Sequence, residues 1–279
     1  LALAALSGGI RQFSGTISAG SILASASESI QLGGANRVVD AGPVRLSSNN
    51  GNVTFRALDN FTLDFGSAWG AFDVTSDNGS ILQSGAITAN LLNARAGGSI
   101  TLTSANVVAN LGSLTAGTAG DIAFTAAGDL LLTDAIDAGG TVTLIADFGE
   151  ITQSGGAITA ASLNVSADQN ILLDAANTVD AFAGTSTQGN ITLRSTGSVS
   201  LGAITLPGTL TLTADAGAVT QAGALTAGGL TVTARDGIIL THSGNAAGAF
   251  VKLTNLDTGG IAYRDSGSIR IGSIDAQRG

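Results

Sequence analysis

The 279-residue chain contains no cysteine and no methionine. Without thiols, disulfides and thiolate metal centres are excluded. Such a chain also cannot be trapped oxidised during export, so its composition suits a secreted protein. Aromatic residues are scarce, at 4 %, and a core built on Phe and Trp is not expected. Charged residues make up 11 %, with a formal net charge of −9. A phosphate backbone needs clustered Lys and Arg, and none are clustered here, so nucleic acid is not an expected partner. No apolar run approaches the ~20 residues that cross a bilayer, so no membrane insertion by this segment is expected. Leu1 to Leu6 resemble the end of a signal peptide but follow no basic segment. They align instead with later sequence: Leu1, Leu3, Gly8, Ile10 and Gln12 match Val142, Leu144, Gly149, Ile151 and Gln153.

What remains is small and β-branched. Apolar residues are 44 %, glycine numbers 40 and proline two, with Thr, Ser, Ala, Leu, Ile and Val filling the rest. This mixture suits stacked strands joined by tight turns.

The chain repeats itself. Residues 140–160 (GTVTLIADFGEITQSGGAITA) return as 208–228 (GTLTLTADAGAVTQAGALTAG) and, more loosely, as 71–90 and 1–20. Glutamine recurs at Gln12, Gln83, Gln153 and Gln221, in steps of 71, 70 and 68. Asn36, Asn106, Asn177 and Asn245 follow in steps of 70, 71 and 68. Four copies, at about 1–70, 71–139, 140–207 and 208–279, account for the sequence. The chain starts and stops at one phase of the repeat, which is expected of a piece of a longer array.

Each copy divides again at Gly-headed alternating runs such as 140–144, 189–193 and 208–212. The division predicts a short–long–short rhythm of roughly 20, 29 and 20 residues, hence three coils per copy and about twelve in all; four coils of about 17 is the alternative. Apolar and small polar residues alternate with period two, as in Thr209-Leu210-Thr211-Leu212-Thr213, which marks strands with one buried face. No 3.6-residue stripe is sustained, so almost no helix is expected. Glycines in the turns 147–149, 215–217 and 235–237 are expected at positive φ. Similar strand heads roughly 19–30 residues apart suit parallel stacking better than propeller hairpins. The expected fold is an all-β, right-handed parallel β-helix (β-solenoid), a single segment over residues 1–279, with about three short strands per coil. Twelve coils at ~4.8 Å would rise about 58 Å.

The run at 208–227, with Ala-Asn-Thr-Val-Asp-Ala-Phe at 176–182 and Gly-Asn-Ile-Thr-Leu at 189–193, resembles repeats of the large secreted exoproteins of the filamentous haemagglutinin-like group. The resemblance covers the whole chain. It implies a right-handed β-helix stalk, exported by a two-partner outer-membrane route in Gram-negative bacteria and displayed or released as an adhesin. The secretion domain of that group is not visible, nor is an effector domain.

Several residue sets could carry chemistry. The four glutamines could form a row of amides, but coils three apart leave about 14 Å between them, and a role in satisfying turn backbone is favoured. The four asparagines are expected in αL conformation or capping a bend. Thr-x-Thr runs at 101–103, 141–143, 209–213 and 231–233 suggest ice binding, but coil heads at 190 and 261 interrupt the array. Asp147, Asp215, Asp236, Asp129, Asp134, Asp137, Asp59 and Asp64 are too dispersed for the paired carboxylates of glycan cleavage. His242 has no near partner in sequence. Variable segments at 40–49, 110–119, 181–188 and 248–258 read as insertions on one face, the first place to look for binding, although a slightly wider wall of the rod is the favoured reading. No catalytic, cofactor or metal residue is assigned, and no enzyme activity is expected.

The expected role is a structural stalk of an adhesin-like exoprotein, outside the cell or on the outer-membrane surface of a Gram-negative bacterium. A self-assembling filament or sheath subunit is the second reading, and a polysaccharide-active enzyme the third. Expected partners are host or neighbouring-cell surfaces, glycans, or other copies by end-to-end stacking.

Overall fold

The computed structural model describes residues 1–277. The protein is an all-β parallel solenoid of about 14 turns. Among the described residues the only helical stretch is one 3-10 turn, Val39–Ala41. Two compact units, Leu1–Val142 and Thr143–Gly279, divide the chain.

In the first unit one inward ladder runs Ile10, Ile30, Val53, Phe72, Leu92, Leu111, Leu132, each residue in parallel register with the next. In the second, the corresponding ladder runs Ile151, Ile171, Ile191, Leu210, Leu230, Val251, Ile271. Each coil therefore takes roughly 20 residues, the length of a compact solenoid repeat. From Ile30 to Leu132, and from Ile171 to Val251, these side chains are at most 1 % exposed. Each coil carries three strand segments, as expected: in the coil that starts at Leu210 they are Thr209–Ala214, Val219–Gln221 and the start of Leu225–Ala234.

The uniform coil corrects the expected count of three per repeat. One sequence copy is about three and a half coils. Ile10 lies in the long ladder, but Ile81, its equivalent one copy on, lies in another: Phe61, Ile81, Ile100, Ile122. The second unit behaves alike, with Ile151 in the long ladder and Val219 in Val199, Val219, Ile238, Ile261. Equivalent residues of consecutive copies therefore occupy different walls of the coil. The apparent long units are one and a half coils whose second Gly head is missing. Segments 40–49, 110–119, 181–188 and 248–258 are likewise not insertions. They contain ordinary wall strand, including Pro43–Ser48 and part of Ala246–Asn255, with Val44, Leu46, Leu111, Leu114, Phe182, Val251 and Leu253 buried.

The core also holds more aromatic mass than composition suggests. Phe55, Phe61, Phe72, Phe124 and Phe182 are fully buried, and Phe55 meets Phe61 edge to face at 5.1 Å. Room for the Phe72 ring comes from Gly66, whose added Cβ would lie 2.7 Å from the ring.

Glycine serves stacking more than turn geometry. Of Gly149, Gly217 and Gly237 only Gly237 has positive φ, at 113°. At Gly217 a Cβ would lie 2.3 Å from Ser198 N on the neighbouring coil. Coil layers sit about 4.8 Å apart, and where one backbone crosses directly over another no side chain fits. Gly117 is such a position, with Gly97 O 2.0 Å from a built Cβ, whereas Gly128 has nothing within 4 Å. Gly117→Ala is expected to destabilise by about 1–3 kcal/mol. Gly128→Ala should be neutral or slightly stabilising. Urea unfolding of both variants measures the contrast.

Candidate functional site

The recurrent glutamines and asparagines, the strongest candidates in the sequence, are brought together. Each Gln pairs with an Asn one coil on, beyond the extra residues of a corner. Gln153 Nε2 donates to Asn177 Oδ1 at 2.9 Å, and Asn177 Nδ2 donates back to Gln153 Oε1 at 3.2 Å. The same reciprocal amide pair joins Gln12 to Asn36, Gln83 to Asn106 and Gln221 to Asn245.

The asparagine sits where the wall bends. Between Leu32 and Asn36, Leu102 and Asn106, and Leu173 and Asn177 the register with the next coil shifts. Shortening the pairing leaves backbone groups without ladder partners, and the amide supplies them. Asn177 Oδ1 accepts from Ile158 N at 2.8 Å, while Nδ2 donates to Leu173 O at 3.1 Å and Arg194 O at 3.3 Å. Asn36, Asn106 and Asn245 make the equivalent bonds to Leu32 O, Leu102 O and Leu240 O. All four asparagines are 0 % exposed. None has positive φ, so of the two expected roles, αL conformation and capping a bend, the structure shows the second. On the glutamine side, Oε1 also accepts from Gly34, Ser104, Ala175 and His242 N–H groups. The clamp bonds are thus directed to the backbone, as the structural reading of these residues expected.

Several acidic residues are also tied between coils. Arg37–Asp59, Arg45–Asp64, Arg56–Asp77, Arg194–Asp215 and Arg235–Asp257 are ion pairs one coil apart. Asp236 accepts from the Thr258 hydroxyl, and Asp134 from the Ala135 N–H. These pairs are exposed and individually worth little. His242 accepts a bond from Gly244 N through Nδ1 at 3.1 Å. Among the described residues no group of three or more His, Asp and Glu could hold a metal ion, and no helix is long and apolar enough to cross a membrane.

The threonines form a patch, but not the one the coil heads suggested. Thr192, Thr211, Thr231 and Lys252 share one outward column; Arg194, Thr213, Thr233 and Thr254 share the next. The strand at 261 stacks on Ile238–Leu240 instead. Arg194 and Lys252 limit the complete Thr-x-Thr rows of this patch to two coils. Among the described residues one buried hydroxyl, Ser195 Oγ, has no hydrogen-bond partner.

The Gln–Asn and Arg–Asp pairings were missed in the sequence, although both carry a signal. Each joins residues at a nearly constant separation of about one coil.

Two consequences are measurable. Asn177→Ala removes the side-chain partner of the buried Ile158 N–H and Leu173 carbonyl, while the Gln153 amide keeps Gly156 and Ala175, so a loss of about 2 kcal/mol or more is expected in urea unfolding. Separately, the Arg45 guanidinium and Ser84 hydroxyl hold Asp64 below the usual carboxylate range, and Thr187 and Gln188 do so for Asp168. For Asp265, burial pushes upward but bonds from Tyr263, Ala247 and Gly267 together outweigh it. A depressed folded pKa means that the unfolded chain protonates first. Stability is therefore full above the unfolded carboxylate value, about 4, and falls as pH drops below it. Urea midpoints from neutral to strongly acidic pH should show that decline, and a combined D64N, D168N, D265N variant should flatten it.

Residues 50–115 and 188–254 match a family described as repeats of unknown function (DUF5649). One match falls in each unit, and each starts just before a rung of the long ladder, Val53 or Ile191. No curated protein and no solved structure matches the chain.

Proposed function

We propose that the chain is a structural stalk segment of a large, adhesin-like bacterial exoprotein, secreted or displayed on the outer surface of a Gram-negative cell. The observation that carries this reading is the fourfold amide clamp. The polar side chains that recur in every copy bond to backbone groups at coil corners, which gives them a purpose in holding coils in register. Inward aliphatic ladders, outward Arg–Asp pairs and parallel backbone bonding act in the same direction. Such stacking distributes stability over nearest-neighbour interfaces and leaves few frayed backbone segments for proteases. Similarity of the 208–227 run to filamentous haemagglutinin-like repeats, together with the absence of cysteine, supports the extracellular setting.

The test uses the full-length parent protein in its own host, with an epitope inserted at the open Gly128 position. Antibody labelling of intact cells, and removal of the label by external protease, are expected. A label reached only after cell lysis would refute the surface assignment. Separation of the purified protein by sedimentation and electron microscopy should show discrete particles; concentration-dependent fibres would favour a filament subunit instead.

A further inference from the structure

Trp69 is the only tryptophan of the chain, and it is 76 % exposed. Its strand, Phe61–Ser76, is flanked by Pro43–Ser48 on one side and Ile87–Ala96 on the other, and Trp69 directly follows the last residue of that wall, Ala68, where the register shifts at a corner within the first unit. Phe65 lies four residues earlier on the same outward face, 44 % exposed, with Ser67 between them. Aromatic rings are scarce in this protein, and burying one stabilises by about 1.5–3 kcal/mol. Two rings held outward on one strand forgo that gain, and exposed Trp is a typical anchor of recognition surfaces.

The surroundings of the rings identify what would sit on them. Ser47, Ser67 and Thr88 occupy successive rungs of one outward column, placing one hydroxyl per coil at about 4.8 Å intervals. Beside Phe65 a groove of about 350 Å³ is walled by Leu23 and Phe65 and lined by Ser25, Ser47 and the Arg45–Asp64 ion pair. The face thus offers flat apolar rings separated by hydroxyls and a carboxylate–guanidinium pair. We propose that it binds a neutral oligosaccharide chain, with Trp69 and Phe65 stacking on the C–H faces of sugar rings and the serines, Thr88 and Asp64 engaging hydroxyls. The two rings span roughly 13 Å along the strand, a length that a short run of linked pyranoses covers. A protein interface would need a contiguous apolar centre, which Ser67 interrupts. An acidic polysaccharide would need net positive charge, and the Arg45 charge is already matched by Asp64.

The lone tryptophan is its own reporter. Titration of the intact protein with laminarin, galactomannan and arabinoxylan oligosaccharides is expected to give a saturable change in tryptophan emission for at least one of them, insensitive to added salt. Affinity electrophoresis in the same polysaccharides should show binding weakened about tenfold or more in Trp69→Ala, and weakened in Phe65→Ala. Phe148→Ala, which removes an exposed ring in the second unit, should bind as the unchanged protein does. Circular dichroism confirms that the variants are folded. No emission change with any of the three, undiminished binding by Trp69→Ala, or binding only to heparin and lost with salt would each overturn the proposal. None of these outcomes bears on the stalk reading, which the surface-labelling experiment decides independently.

Discussion

One distance governs this protein: backbone layers of successive coils lie about 4.8 Å apart and stay in parallel register. Every other feature follows from keeping that spacing through coils of nearly equal length. Inward positions stack apolar on apolar, hence the ladder from Ile30 to Leu132, aliphatic but for Phe72, and its aliphatic counterpart from Ile171 to Val251. Where one chain passes directly over another, only glycine fits, as at Gly117 and Gly217. Where the coil turns and the ladder skips residues, backbone groups lose partners, and an Asn–Gln pair replaces them.

The same spacing explains why the most repeated polar residues are not a binding surface. A carboxamide offers two donors and two acceptor lone pairs. In each clamp these are used by the partner amide and by corner backbone, with the asparagine sealed from solvent. The clamps repeat from copy to copy, whereas among outward residues the exposed Phe65–Trp69 pair is not repeated in the other copies.

Much of the architecture was legible in the sequence. Period-two alternation in stretches such as Thr209–Ala214 marked half-buried strands, and similar strand heads at short separation implied parallel stacking. The backbone role of Gln153 and Asn177 was also legible, since amides recurring beside turns suit no row of ligands. Three things were not. The coil count was misread because identity repeats with the long step from Ile10 to Ile81, while geometry repeats with the short step from Ile10 to Ile30. Ile10 and Ile81 therefore look equivalent but sit in different ladders. Gly217 was assigned to turn conformation, because the close approach of Ser198 from the neighbouring coil leaves no local trace. The Gln–Asn partnership was hidden because its members lie more than a full coil apart.

The amino-acid sequence by itself determined the strand content, the inward choice of Ile, Leu and Val, and the parallel solenoid class, because these depend on local alternation and on short-range recurrence. Only the tertiary structure decided which residue lies over which. Corners absorb different numbers of residues, so the step from Ile30 to Val53 is longer than that from Val53 to Phe72, and each small difference shifts everything that follows. Register is a cumulative, non-local quantity, and side-chain partners such as Gln153 and Asn177 or Arg194 and Asp215 exist only once it is set.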